Sequence, residues 1–292
     1  MKGTVGMIGL GIMGGAMARN LVAAGWTVVG FDIDTGICAD LAKSGVAIAA
    51  GAADVAGRAA DIITSLPSPK AVIAVAKEIA GSGAANRTVI EASTLALEDK
   101  LAFARTLEAA GHTPLDCTLS GTGAQARVKD LVVYASGNSA AIERLRPLFA
   151  DFARLTHDLG QFGNGSRMKY VANLLVAIHN VASAEAMVLG IKAGLDPHKL
   201  VEVIASSAGT SRIFELRAPM MADSHYEPAT MRVSTWQKDM AVIGAYASAL
   251  GVPTPTFSAT LPVYAAAMGL GRAGEDTAAV CAVLEAMAGI ER

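Results

Sequence analysis

The chain is short of aromatic residues, of charge and of cysteine. Aromatics make up 5% of its 292 residues, so a core must be built mainly from Ala, Val, Leu, Ile and Met. Such a composition suits helices packed on helices or on a parallel sheet. Only 17% of residues are charged, with a formal net charge of -2. No run of Lys or Arg occurs, so a nucleic-acid or anionic-membrane surface has no electrostatic support. Cys38, Cys117 and Cys281 are odd in number, far apart and free of any C-x-x-C spacing. That pattern argues against a disulfide framework and a zinc site, and fits a reducing compartment. The histidines show neither H-E-x-x-H nor another ligand spacing, so no metal is expected. No uncharged apolar run reaches the roughly 18 residues of a membrane span. A soluble, cytoplasmic protein is expected, with neither a nucleic-acid nor a membrane partner.

The length suggests two domains. In the first half, short β-type runs alternate with Ala-rich helical ones. The strand-like segments are 3–8, 27–31, 61–65, 88–91 and 113–116, with two more expected at 131–136 and 153–157. Alternation of this kind predicts a doubly wound parallel sheet with helices on both faces, a Rossmann-type domain over residues 1–162. The apolar, Gly-rich N-terminus could be mistaken for a signal peptide, but Arg19 and Asn20 interrupt it and a strand-turn-helix pattern accounts for it. After the Gly-rich link at 161–165 no strand is expected. Residues 163–292 read as an all-α domain for substrate binding and oligomerisation. Its first helix, about 166–193, would span roughly 40 Å and joins the two domains. The polar residues Asn173, His179, Asn180, Ser183 and Glu185 mark it as a buried core helix rather than a membrane helix.

The first strand runs into Gly9-Leu10-Gly11-Ile12-Met13-Gly14, a G-x-G-x-x-G with the required strand before it and helix after it. Gly9 permits the tight turn, Gly11 the approach of backbone to a pyrophosphate, and Gly14 close helix packing. Phosphates would lie against the helix N-terminus, where free N–H groups and the dipole favour anions. The second strand ends at Asp32, about 18 residues past Gly14, where an acidic residue accepts from the adenosine ribose hydroxyls. Its charge opposes the 2'-phosphate of NADP and no Arg follows, so NAD is favoured over NADP. As a helix N-cap, Asp34 is as good a residue as Asp32.

With these residues in view, the chain resembles the β-hydroxyacid dehydrogenase family, whose members act on 3-hydroxyisobutyrate, tartronate semialdehyde and L-threonate. GLGIMGGAMARNL resembles the family's cofactor motif. Ser65-Leu66-Pro67 and Ser93-Thr94 resemble its loops near the nicotinamide, which implies cofactor contacts for Leu66, Pro67 and Thr94 beside those of Gly9 to Gly14 and Asp32. The run Gly163 to Asn173 resembles the opening of its catalytic helix. Lys238-Asp239, followed by Gly251-Val252-Pro253, resembles a later block near the active site. One block departs: in DCTLSGTGAQARVKDL, Ser120, Gly121, Ala126 and Leu131 match. Thr122, Gln125 and Lys129, however, stand where the family commonly has Gly. The resemblance implies that Ser120, Gly121 and Thr122 grip a substrate carboxylate. Thr122 and Gln125 either suit a more polar substrate or only reshape the loop.

The resemblance implies hydride transfer between NAD and a small 3-hydroxy acid, which leaves the protein to orient the substrate and handle one proton. Lys169 is the expected general acid/base. A free lysine has a pKa near 10.4; burial and the charge of an oxidised nicotinamide lower it. Asn173 lies four residues on, on the same helix face, and would hold the lysine or a substrate oxygen. Taken alone, Lys169 would read as a surface lysine at a helix start; the block around it reverses that. Lys238 would place positive charge near the substrate anion or the cofactor. Arg212, Glu215 and Arg217 read better as structural ion pairs. Three rival readings remain: a semialdehyde reductase or an imine reductase on the same scaffold, and a non-catalytic nucleotide sensor. The presence of Lys169 argues against the imine reductase, and that of Ser120, Lys169 and Asn173 against the sensor. Much apolar helix in a small second domain predicts a homodimer or homotetramer.

Overall fold

The computed structural model describes residues 2–292. It divides into two compact units, one ending at Lys169 and the other running Tyr170–Arg292. In the first unit, strands β1 (Thr4–Ile8), β2 (Thr27–Phe31), β3 (Ala47–Ile48), β4 (Asp61–Thr64), β5 (Thr88–Glu91), β6 (Thr113–Ser120), β7 (Val132–Gly137) and β8 (Leu155–Asp158) form one sheet. The helices between them are α1 (Ile12–Ala23), α2 (Thr35–Lys43), α3 (Ala52–Arg58), α4 (Pro69–Ala80), α5 (Leu97–Ala109), α6 (Gly123–Arg127) and α7 (Ser139–Ala150).

Successive residues of the central strands are buried on opposite faces of the sheet. Met7, Val28, Ile63 and Ile90 belong to one core with α1, α2 and α7. Their neighbours Ile8, Val29, Ile62 and Val89 belong to the other, with α3, α4 and α5. Successive side chains point to opposite faces, so a strand covered on both sides must be apolar throughout.

Strand order is β3-β2-β1-β4-β5-β6-β7-β8. The order reverses between β1 and β4, and the carboxyl ends of strands at such a switch point are where α/β sheets bind ligands. Two strands depart from the expected parallel sheet: β7 runs antiparallel to β6, and β8, parallel to β7, shares its direction. The connection at 121–131 holds only the five-residue α6, too little for the crossover a parallel return needs, so the chain turns back beside β6.

Helix α8 (Asn164–Lys192) has 29 residues and contributes its first turns to the first unit. The rest of it, with α9 (Pro197–Ala205), α10 (Arg212–Ala222), α11 (Val233–Ala249), α12 (Pro255–Gly269), a 3-10 turn at Thr277–Ala279 and α13 (Val280–Met287), makes the second. By length and composition alone α8 could cross a membrane, with a mean hydropathy of 1.7. Two of its polar residues, Asn173 and Asn180, are however committed to protein partners. Asn180 Nδ2 donates to Tyr264 OH at 2.9 Å and to the Thr277 carbonyl at 2.8 Å. Pairing of this kind belongs to a core helix. In α10, Arg217 is buried against Asp276, whereas Arg212 makes a surface pair with Glu215.

Candidate active site

The turn after β1 is shaped by its glycines. Gly9 has φ +88, and a Cβ there would lie 2.1 Å from the Ser65 carbonyl oxygen; one on Gly14 would lie 1.9 Å from Gly9 O. Both glycines are therefore required by the protein's own packing, and Gly9 brings the turn against the loop after β4. Gly11 differs, because a Cβ there would meet nothing within 4 Å. It is also the N-cap of α1, with no side-chain cap and no acidic residue in the first turn. A helix start left with unpaired N–H groups beside open space fits an anion such as a pyrophosphate. Ile12, also in this turn, is 66% exposed.

Asp32 follows β2 and braces the turn. Its Oδ2 accepts from Leu10 N at 2.7 Å and its Oδ1 from Asp34 N at 2.9 Å. The cap of α2 is Asp34, which accepts from Gly36 N and Ile37 N. A crevice of about 620 Å³ opens here, lined among others by Leu10, Gly11, Ile12, Arg19, Asp34 and Asp40. Leu66 and Pro67 follow β4, and Leu66 N donates to Ser93 Oγ in the loop after β5 at 2.8 Å. Thr94, next in that loop, is half-buried.

Ser120 ends β6 and Gly121 starts the departing loop. Gly121 has φ +130, and a Cβ would sit 2.6 Å from Leu131 Cδ2, so only glycine turns here without strain. Thr122 and Gln125 serve the loop itself: Thr122 N donates to Gln125 Oε1 at 3.0 Å, and Gln125 Nε2 donates to Asp130 Oδ2 at 3.0 Å. That is half of a capping box for α6, and it places both residues with the loop-shaping alternative. Lys129 occupies the left-handed region with φ 61, which explains why glycine suits the position. Buried Asn20 in α1 donates to Ala126 O at 2.7 Å, and a Cβ on Gly123 would sit 2.4 Å from Ile12 Cγ2. The loop carrying Ser120 to Thr122 is therefore packed on the Gly-rich turn.

The first turn of α8 is seated on β6 and β7. Gly165 N donates to Ser136 Oγ at 2.9 Å, and Thr118 Oγ1 donates to Gly165 O at 2.8 Å. A Cβ on Gly165 would stand 2.4 Å from Tyr134 O and 2.6 Å from Asp116 O. One turn on, Lys169 is 8% exposed. In the second unit Asn173, 5% exposed, donates to Asp239 Oδ2 at 3.0 Å. Asp239, whose side chain is nearly buried, also pairs with the half-exposed Lys238 at 3.4 Å. Asp239 therefore joins two expected site residues, Asn173 and Lys238. Among the described residues, no group of three or more His, Cys, Asp or Glu is placed to hold a metal.

Two family models together cover this architecture. The NAD-binding domain of 6-phosphogluconate dehydrogenase matches residues 4–163, and the NAD-binding region of NADP-dependent 3-hydroxyisobutyrate dehydrogenase matches residues 163–284. The chain belongs to the β-hydroxyacid dehydrogenase family. Members are nicotinamide-dependent hydroxyacid oxidoreductases, and this chain is one of them. It is 32% identical to L-threonate dehydrogenase of Escherichia coli O6:H1, over 94% of this chain and 93% of that protein. Among solved structures, 3-hydroxyisobutyrate dehydrogenase of Salmonella typhimurium matches with a TM-score of 0.86 at 31% identity, covering 96% of this chain and 99% of that one. The Mycobacterium tuberculosis 3-hydroxyisobutyrate dehydrogenase with L-serine gives a TM-score of 0.88 at 27% identity, covering 97% and 99%. The family assignment thus agrees with the resemblance in the sequence.

Proposed function

We propose that the protein oxidises the hydroxyl carbon of a small 3-hydroxy acid, or forms it in reverse, with NAD as preferred cofactor and Lys169 as general acid/base. The observation that carries this reading is the placement of Lys169: buried, and one turn beyond a helix start locked by hydrogen bonds onto β6 and β7. When bound, the nicotinamide ring supplies the hydride acceptor. Lys169 Nζ takes the hydroxyl proton as the alcohol is oxidised and returns it in the reverse direction. Ser120, through its hydroxyl, and Gly121, through its backbone N–H, hold the substrate carboxylate, with Thr122 beside them. Asn173, oriented by Asp239, holds a substrate oxygen or the lysine, and Lys238 adds positive charge near the bound anions.

The cofactor is held by Gly9 to Gly14, with Leu66, Pro67 and Thr94 towards its nicotinamide end. Asp32 has acceptor capacity left for ribose hydroxyls beyond its two backbone bonds. The crevice beside it carries Asp34 and Asp40, and Arg19 is committed to Asp40 at 2.5 Å. A 2'-phosphate would meet acids there, which favours NAD over NADP.

The acids named for the relatives, L-threonate and 3-hydroxyisobutyrate, share a carboxylate and a 3-hydroxyl, which sets the substrate class proposed. By function the chain is read as two domains, 1–162 and 163–292, the second for substrate binding and oligomerisation; the compact units divide seven residues later, within α8. Leu189, Leu250, Leu270 and Met287 in that domain are each more than half exposed, which supports a homodimer or homotetramer. Three free, buried cysteines fit a cytoplasmic location.

The test is NADH formation across 3-hydroxyisobutyrate, 3-hydroxypropionate, glycerate, threonate and serine, with 2-hydroxy acids lacking a 3-hydroxyl, such as lactate, as controls. Turnover confined to 3-hydroxy acids is the expected result. Turnover of the controls alone would overturn the substrate class.

A further inference from the structure

The first unit holds a chain of buried polar groups that this reaction does not itself require. It begins after β4, where Leu66 N donates to Ser93 Oγ, and continues from Ser93 N to Glu91 Oε1 at 3.0 Å. The Glu91 carboxylate pairs with Lys100 Nζ, which also donates to the Glu91 carbonyl at 3.2 Å and to Asp116 Oδ1 at 2.9 Å. Asp116 then accepts from Ser166 N at 2.7 Å and from Ser166 Oγ at 2.9 Å. Glu91, Lys100, Asp116 and Ser166 have no exposed surface at all.

Three charges in a dry interior are costly, and a well-packed apolar cluster of the same volume is often as stable or more so. What the charges supply here is direction. Ser166 N is one of the first N–H groups of α8, which have no partner within the helix, and the Asp116 carboxylate sits at the positive end of the helix dipole. Ser166 precedes Lys169 by three residues, so the two are neighbours on one helix face. At its other end the chain sets Ser93 and Leu66, the loops expected near the nicotinamide.

We infer that Lys100 is a positioning residue: by holding Asp116 and Glu91 together it locks the first turn of α8 and the loops after β4 and β5 into one frame that aims Lys169. The inference rests on Lys169 as the acid/base group. Positional errors of about 1 Å at a reacting centre can cost about 100-fold in rate, so a frame of this kind shows in turnover before it shows in binding.

The experiment uses the full chain with NAD and whichever of L-threonate or 3-hydroxyisobutyrate it oxidises faster. In Lys100→Met, kcat is expected to fall roughly 10- to 100-fold, with KM for the acid and Kd for NAD within about threefold of wild type. Ser166→Ala leaves the ion triad whole and so keeps the test alive if Lys100→Met does not fold. It is expected to lower kcat per folded molecule by about three- to tenfold, with a lower melting temperature from the lost bond to a buried carboxylate. Wild-type kcat per folded molecule in Ser166→Ala, or a loss confined to KM and Kd, overturns the inference. Lys169→Ala run alongside separates the two ideas. If it keeps turnover, the acid/base reading fails and takes this one with it. If it loses turnover while Ser166→Ala does not, only the positioning role fails.

Discussion

Each unit buries an ion cluster, and the two are built differently. In the sheet unit one lysine lies between two carboxylates. In the helical unit one arginine meets one carboxylate: Arg217 Nε donates to Asp276 Oδ1 at 3.2 Å and to Thr277 Oγ1 at 2.8 Å. Asp276 also accepts from Thr230 N, Thr230 Oγ1, Met231 N and Ala278 N. The residues of that cluster all lie in the helical unit. Burial pushes the Asp276 carboxyl up, but Arg217 and the donors outweigh it and hold the group below the usual carboxylate range. Burial likewise pushes Lys100 down, and Asp116 and Glu91 outweigh it, leaving the ammonium above the ordinary lysine value. The first cluster runs out along Asp116 to the first turn of α8, three residues before Lys169; the second meets α8 through the Thr277 carbonyl and Asn180, about three turns beyond Lys169 along the helix. The difference lies in where each cluster meets α8: the first at the turn before Lys169, the second far along the helix.

The largest effect belongs to Lys169→Ala, for which kcat should drop by about 10²- to 10⁴-fold, with NAD binding by titration little changed. Preserved turnover would remove the target at which the first cluster aims. Next, Arg217→Met strands a buried carboxylate, and chemical denaturation should show about 3–5 kcal/mol of lost stability. Turnover per folded molecule should stay at the wild-type level; a selective fall in kcat would make the second cluster functional too.

The sign of the Asp276 shift sets a pH window. A carboxyl held below its unfolded value of about 3.9 contributes its full stability above that pH and loses it as pH falls through the lower folded value. Thr230→Val deletes one bond to Asp276, made at 2.6 Å, and should cost about 1.5–3 kcal/mol at pH 7. The deficit should shrink below about pH 4, as read from denaturation midpoints at pH 7 and pH 3. A deficit independent of pH would detach that bond from the charge.

A half-exposed carboxylate makes a third point of comparison. Asp32→Ala should reduce the preference for NAD over NADP by about tenfold, the worth of one hydrogen bond to a charged group, measured as the ratio of kcat/KM values. The smallest effect is expected away from both clusters. Lys129→Gly relieves a left-handed residue and should raise stability by about 1 kcal/mol, visible as a small rise in melting temperature. A lower melting temperature would mean that the lysine side chain matters more than its backbone strain.

The legibility of the chain follows the range of the forces involved. Strands such as β2 and β5 could be bounded to the residue, because burial on both faces writes a continuous apolar run between turn residues. The two-residue β3 leaves no such run and was not foreseen. The Gly-rich turn was legible because its glycines answer a local backbone need; that Gly11 alone faces open space was not, since this depends on the loop after β4. Lys169 stood out only through the block around it. Lys100 did not stand out, because a lysine after Glu98 and Asp99 in a helix reads as a solvated surface residue. Asp116 read as a strand end, and its capping of α8 spans fifty residues of chain.

Local pattern therefore determined the sheet unit, the helical unit, the cofactor turn with Asp32, and the helix bearing Lys169 and Asn173. These rest on periodicity, turn chemistry and spacing, which act within a few residues. Tertiary structure decided the direction of β7, the commitment of Thr122 and Gln125 to their own loop, and the partners of Asp239, Arg217 and Lys100. Each of these depends on which distant groups share a desolvated space. A charge leaves water only when the fold delivers its counter-charge, and no stretch of sequence holds both.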